Sequence, residues 1–223
     1  MSESIFPRYR GICVAGLVLT LTAACSNLLP TPIAPPNFYT LDAPLFKASA
    51  ASLSRGLPSL SVTPPLAASG FDSQHIIYRR TAHQLDYFAH SEWVDTPARM
   101  LAPLIVAALE RRGGFQAVVS TPSSATSELR LDSRILRLQH DFSVQPSRVR
   151  FTLRADLVDN ATRQVIAGRE FDATVVAASD DAYGGVVAAN GAVQAVLAEL
   201  ADFCSVGAAA WRQSPENTRL PGK

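Results

Sequence analysis

The strongest pattern in the chain is an alternation between residues 148 and 157. Val149, Phe151, Leu153, Ala155 and Leu157 are apolar, and Arg148, Arg150, Thr152, Arg154 and Asp156 between them are polar. A strand repeats its side-chain direction every two residues, so this segment predicts a strand with one face buried and an arginine-rich face in solvent. Two weaker alternations flank it. Leu129 to Leu138 slips at Ile135-Leu136, as a bulge requires, and Val165 to Val176 follows an Asp159-Asn160 turn. Together the three predict an antiparallel meander.

The period then changes. From Gly185 to about Val206 an alanine-rich segment places Val193, Val196, Leu197, Leu200 and Cys204 on one stripe, with Asn190, Gln194, Glu199 and Asp202 elsewhere, which predicts an amphipathic helix. Asp180-Asp181 just before it suit a cap and the positive end of the helix dipole better than a cation site. A second helix is predicted before the meander. Asp95 or Thr96 is placed to cap it, Pro97 lies in its first turn, and Leu101, Leu104, Ile105 and Ala108 share a face. Gly113-Gly114 stop it, and Pro103 is expected to kink it. Upstream, His75–Arg79 and Gln84–Ala89 read as a hairpin, preceded by Leu57, Leu60 and Val62 ahead of a Pro64-Pro65 break. The fold expected is α+β: a single mixed or antiparallel sheet with two main helices packed on one face.

The N-terminal part carries a different signal. Arg8 and Arg10 precede an uncharged run from Gly11 to Ala24, which has the order of a secretory signal and is shorter than the roughly 20 apolar residues of a membrane-crossing helix. The run ends Leu21-Thr22-Ala23-Ala24-Cys25, which resembles a permissive lipobox, with Leu one place early and cleavage between Ala24 and Cys25. An ordinary signal with an incidental cysteine is the alternative; the order of charged region, apolar run and cysteine favours lipidation of Cys25. Two or three acyl chains, at about 0.8 kcal/mol per buried methylene, hold a protein stably at a bilayer. By resemblance to lipoprotein sorting in Gram-negative bacteria, Ser26 implies the outer membrane, with the domain facing the periplasm. The segments expected are therefore a signal peptide at 1–24, a Pro/Ser/Ala-rich tether at 25–56 with a short strand near 38–41, an α+β domain at 57–211 and a flexible tail at 212–223. Four prolines within residues 26–37 make the first part of the tether a semi-rigid spacer of roughly 35 Å at about 3.1 Å per residue.

Composition narrows the function. Apolar residues make up 48% and charged residues 17% of the chain, enough for a packed core. Acidic and basic residues balance after residue 24, which argues against nucleic acid, because a phosphate-binding domain needs a basic excess. Cys204 is the one cysteine beyond the lipobox and reads as a small core residue. No nucleophile elbow, zinc-binding His-Glu-x-x-His, phosphate loop or Cys-x-x-Cys is present, and His75, His83, His90 and His140 match no metal spacing. Neither a catalytic residue, a metal nor a cofactor is expected. Candidate interface residues are Tyr87, Phe88 and Trp93, which otherwise close the core under the first helix, together with Arg148, Arg150 and Arg154. The arginines suit phosphate, but Glu128, Asp132, Glu170 and Asp172 on neighbouring strands are equally placed to neutralise them.

These pieces resemble, in order, the ABC-type transport auxiliary lipoproteins, the PqiC-like family of intermembrane transport lipoproteins. The matching elements are the lipobox, Phe38-Tyr-Thr-Leu41 beyond the spacer, Phe71-Asp72 before Ile76-Ile-Tyr-Arg79, Tyr87-Phe88 before Trp93-Val-Asp-Thr-Pro97, and the closing alanine-rich helix. The acid-Pro pair usual after the tryptophan is split here by Thr96. The resemblance implies a non-catalytic partner of an MCE-domain periplasmic protein with its ABC permease and ATPase, which together carry phospholipid between membranes. The protein would be the outer-membrane station, as a ring-forming homo-oligomer or a partner-docked domain. The rival expectation is an assembly lipoprotein of another outer-membrane complex with no lipid contact.

Overall fold

A computed structural model describes residues 35–42 and 56–214. The signal segment, the lipobox with Cys25, the proline-rich spacer up to residue 34 and the chain after Ser214 lie outside the described residues. Nine strands and two helices follow in the order β1 (Asn37–Tyr39), β2 (Leu60–Val62), β3 (Leu66–Ala67), β4 (His75–Arg79), β5 (Asp86–Trp93), α1 (Pro97–Arg112), β6 (Val118–Ser120), β7 (Leu129–Asp141), β8 (Arg148–Asp159), β9 (Val165–Val176) and α2 (Ala182–Gln213).

The predicted meander is present as β7-β8-β9, antiparallel throughout. Val149, Phe151, Leu153, Ala155 and Leu157 of β8 are all buried, while Arg148, Arg150 and Arg154 are exposed. The turn after β8 is held by the Asp159 carboxylate, which accepts the N–H groups of Ala161 at 2.7 Å and Thr162 at 3.1 Å. The bulge in β7 falls between Ile135 and Arg137. Its effect is to reverse the parity of the strand. Leu129, Leu131 and Ile135 point to the buried face before it, and beyond it Leu138 and His140 take that direction, opposite Phe151 and Val149.

The other edge of β7 is shared in series by three short parallel strands. β2 pairs with Leu129–Leu131, β3 with Arg134–Ile135 and β4 with His140–Asp141. β6 extends the sheet beyond β2, and β5 then β1 extend it beyond β4. The expected hairpin is therefore β4-β5, with β5 continuing to Trp93. Between His75 and Ile77 the partner residue moves from Glu92 to Tyr87, so β5 bulges at Phe88–Ser91. The strand expected at 38–41 is β1, and it belongs to the sheet of the domain: Asn37, Phe38 and Tyr39 pair with Ser91, Glu92 and Trp93.

Both helices lie on one side of the sheet, α2 over β7–β9 and α1 over β2, β3 and β6, touching each other. Thr96 is the N-cap residue of α1 with Pro97 behind it. Its side chain makes no cap bond, and the Asp95 carboxylate instead accepts the Thr96 N–H at 2.8 Å. The helix runs unbroken through Pro103, whose exposed position leaves the freed carbonyl one turn back to water. Asp181 caps α2, accepting the Gly184 N–H at 2.7 Å. α2 starts three residues before the expected Gly185 and runs two residues into the segment expected to be a tail. It is long and apolar enough to cross a membrane. Its stripe of Val193, Val196, Leu197, Leu200 and Cys204 is buried, however, and the helix packs on β8, β9 and α1, as a core helix does. Burial pushes the Cys204 thiol up to about 12, which keeps it protonated and unreactive.

Candidate docking face

The helices cover one face of the sheet and leave the other open. Which side chains occupy the open face follows from register. Arg148 and Arg150 point there, opposite Asp141 and Gln139 of β7. Arg79 lies beside Asp141 and forms an ion pair with it at 2.6 Å, so Arg79, Ile77 and His75 share that direction. Tyr87 is opposite Ile77, Glu92 opposite His75, and Phe38 beside Glu92. The face free of helices therefore runs from Phe38 and Tyr87 at one end to the arginines of β8 at the other, with Ile77, Gln139 and Asp141 buried between them. Tyr87 and Arg150 lie in line across three strand spacings, about 14 Å at 4.8 Å per step, with Arg148 two residues further along β8.

Of the residues singled out by sequence, Tyr87, Arg148, Arg150 and Arg154 meet on this face. Tyr87 is 54% exposed and stacks on His75 with ring centroids 4.1 Å apart. Trp93 is 2% exposed and is a core residue, as its place opposite Tyr39 on the helix-covered side requires. Phe88 also turns inward, packing against Tyr78, His140 and Phe142. Of this pair of neighbours, only Tyr87 is available to a partner.

The arginines are largely neutralised, by partners only partly anticipated. Arg150 donates to Asp172 at 2.7 Å, the expected neighbour, and Thr152 donates to the same oxygen. Burial alone raises the Asp172 pKa, but these donors outweigh it and hold the carboxyl below its usual range. Arg154 pairs with Asp156 of its own strand at 3.1 Å. Asp132 is taken by Arg130, and Glu128 accepts the Ser59 N–H and hydroxyl instead of an arginine. At Asp141 burial again pushes upward and is outweighed by hydrogen bonds from Ser143 and Arg79, so this carboxyl is lowered as well. Paired guanidinium and carboxylate groups form a patterned, nearly neutral surface, suited to a polar protein partner more than to a bare phosphate array.

One buried polar chain lies under the other face. Ser147 is fully buried and gives its hydroxyl proton to Asp180. His140, 2% exposed, sits 2.9 Å from the same hydroxyl through Nε2, and must therefore be the donor in that contact. His140 Nδ1 has no partner and faces Gly185, where an added Cβ would lie 2.5 Å away. Burial lowers the His140 pKa, against the opposing pull of Asp180, Asp181 and Asp141. A serine that donates to a carboxylate and reaches no solvent is no nucleophile, so this chain fixes the start of α2 to the sheet. Sequence spacing gave no sign of it, because the bulge at Ile135–Arg137 is what turns His140 inward.

Comparison with known proteins agrees with the architecture. The fold is similar to that of the DUF330 protein XCC0632 of Xanthomonas campestris, at 23% identity and TM-score 0.66, over 81% of this chain and 98% of that one. A second solved structure, of an uncharacterized protein, is similar at 16% identity and TM-score 0.58, over 76% of this chain and 98% of that one. The PelC dodecamer of Paraburkholderia phytofirmans aligns at 13% identity and TM-score 0.40, over 64% of this chain and 86% of that one. No curated protein sequence matches. The family described as the ABC-type transport auxiliary lipoprotein component matches residues 39–201, from the last residue of β1 through the rest of the sheet and α1 and into α2. With that match over most of its folded length, the chain belongs to the ABC-type transport auxiliary lipoproteins, accessories of a transport system and not an enzyme family.

Proposed function

We propose that the protein is the outer-membrane station of an MCE-type lipid transport system. Cys25, acylated after cleavage behind Ala24, holds it at the periplasmic surface of the outer membrane. The open face of the sheet, centred on Tyr87 and Arg148, receives the periplasm-spanning MCE protein, whose permease and ATPase lie at the inner membrane. Phospholipid passes to or from the outer membrane at that junction. The family match over residues 39–201 carries this reading. The open face supports the choice of surface, because it combines an exposed aromatic with paired and unpaired guanidinium groups and is covered by neither helix.

The test is capture of the tagged, full-length lipoprotein from its native envelope, with mass spectrometry of the proteins and lipids that come with it. An MCE-domain protein is expected, with its permease, and its yield is expected to fall at least about tenfold for Tyr87→Ala combined with Arg148→Glu. Recovery of an outer-membrane assembly factor without MCE protein or phospholipid would overturn the proposal in favour of an assembly role.

A further inference from the structure

Arg134 and Arg137 stand in the middle of the open face without a counter-ion. The bulge of β7 puts both on that face: Arg134 is opposite Arg154 and Arg137 opposite Thr152, so they lie about 7 Å apart along the strand at 3.4 Å per residue. Arg134 is exposed and Arg137 half-buried. Every carboxylate near them is engaged elsewhere. Asp132, two residues before Arg134, takes Arg130 at 2.9 Å and the Thr63 hydroxyl at 3.0 Å. Asp172 is held by Arg150 and Thr152, and reaches Arg137 only through its charge at a distance. Glu170 lies on β9, two strands away from Arg134.

Directly opposite Arg134, Arg154 adds a like charge, which is unfavourable across a strand pair. The conflict is relieved sideways. A methyl group on Gly168 of β9 would collide with the Asp156 carboxylate and lie 3.2 Å from Arg154 Nη2, so the Arg154–Asp156 pair leans over that glycine and away from Arg134. Among the described residues neither the Arg134 nor the Arg137 guanidinium has an ion pair or a hydrogen bond. On the other side of Arg134, β3 places Leu66 beside it on the same face, 59% exposed. Charge decides what fits here. A bare phosphate surface would also meet the carboxylates of Asp156, Glu170 and Asp172 on the next strands. A single carboxylate side chain with an apolar neighbour reaches the two guanidinium forks and Leu66 without meeting them.

We propose that Arg134, Arg137 and Leu66 form the anchor point for one acidic side chain, carried beside an apolar residue, of a protein docked on the open face. The inference rests on the reading of that face as the docking surface and adds the chemistry of the segment it receives. Its test places the photo-crosslinking residue p-benzoylphenylalanine at Leu66, and separately at Tyr87, in the full-length protein in its native envelope, with mass spectrometry of the crosslinked peptides. The Leu66 crosslink is expected on a segment of the MCE-domain protein that carries an aspartate or glutamate. Arg134→Glu with Arg137→Glu is expected to lower its yield at least about tenfold, and exchange of that acidic residue for arginine in the captured protein to restore it. Rescue of this kind separates a lost charge contact from a folding defect, and Arg134→Gln with Arg137→Gln repeats the loss without a new charge. If Tyr87 crosslinks to the MCE protein while the Leu66 yield is unmoved by the arginine variants, the inference is overturned and the docking reading stands. A Leu66 crosslink to phospholipid overturns it as well. If neither position reaches the MCE protein, but Leu66 captures another protein with the same charge exchange, the transport reading has failed and the anchor point stands.

Discussion

The two faces of one sheet divide the work of this molecule. On the helix-covered face Phe151, Leu153, Leu157 and Leu129 are fully buried under α2. On the open face β8 and β9 carry Arg150, Arg154, Asp156 and Asp172 in exposed ion pairs. Adjacent residues of β8 thus differ in almost everything that matters energetically. Burying a large apolar side chain contributes about 1.5–3 kcal/mol, whereas an exposed ion pair contributes about 0–1 kcal/mol. The covered face holds the fold, and the open face is free to be shaped for a partner at little cost in stability.

The sharpest way to break this comparison is to cut into the covered face. Phe151→Ala is expected to cost about 3–5 kcal/mol, read from the denaturant midpoint of the protein. Gly185→Ala should cost about 1–3 kcal/mol in the same assay, because its methyl group would meet His140 Nδ1 at 2.5 Å. A pH series sharpens the contrast. The His140 pKa is lowered in the folded protein from 6.5, so as pH falls below that value the unfolded chain takes up a proton that the folded chain resists. Stability is therefore expected to decline as pH drops through 6.5 toward the folded pKa, and His140→Phe should flatten that slope. The lowered carboxyls of Asp141 and Asp172 act in a different window. Their contribution is complete above 3.8 and is lost at more acid pH, as the solution passes the folded pKa. The smallest effect belongs to the open face. Arg150→Ala is expected to change stability by less than about 1 kcal/mol, and a larger loss would show that the open face also holds the fold.

Long, patterned segments were legible in the sequence. The alternation of β8, the slip in β7 and the stripe of α2 each repeat often enough to fix direction and face. β3 and β6 were not legible, because two or three residues cannot display a period, and nothing local reveals that they pair in parallel with distant strands. Phe38–Leu41 was recognisable as a strand, yet its place in the sheet depends on β5, more than fifty residues away. The candidate site was half legible. Alternation put the arginines of β8 on one face, but which of Tyr87, Phe88 and Trp93 joins them is decided by the bulge of β5 against β4. The partners of Arg154 and Glu128 were missed for a similar reason: a carboxylate two residues along the same strand, or a serine at the mouth of β2, leaves no periodic trace.

The three short strands docked in series along β7 also bear on how the molecule comes into being. A ribosome delivers β2, β3 and β4 long before residues 129–141, and the pairings Leu60 with Leu129 and Arg79 with Asp141 close loops of more than sixty residues. Until then β3 has no strand partner and β2 has only β6 to meet. The local β7-β8 hairpin is the cheaper structure to form, and it then acts as a template for what was made earlier. The N-terminal half therefore waits unfinished for the C-terminal half. The chain remains open enough to be threaded through a narrow passage for most of its synthesis.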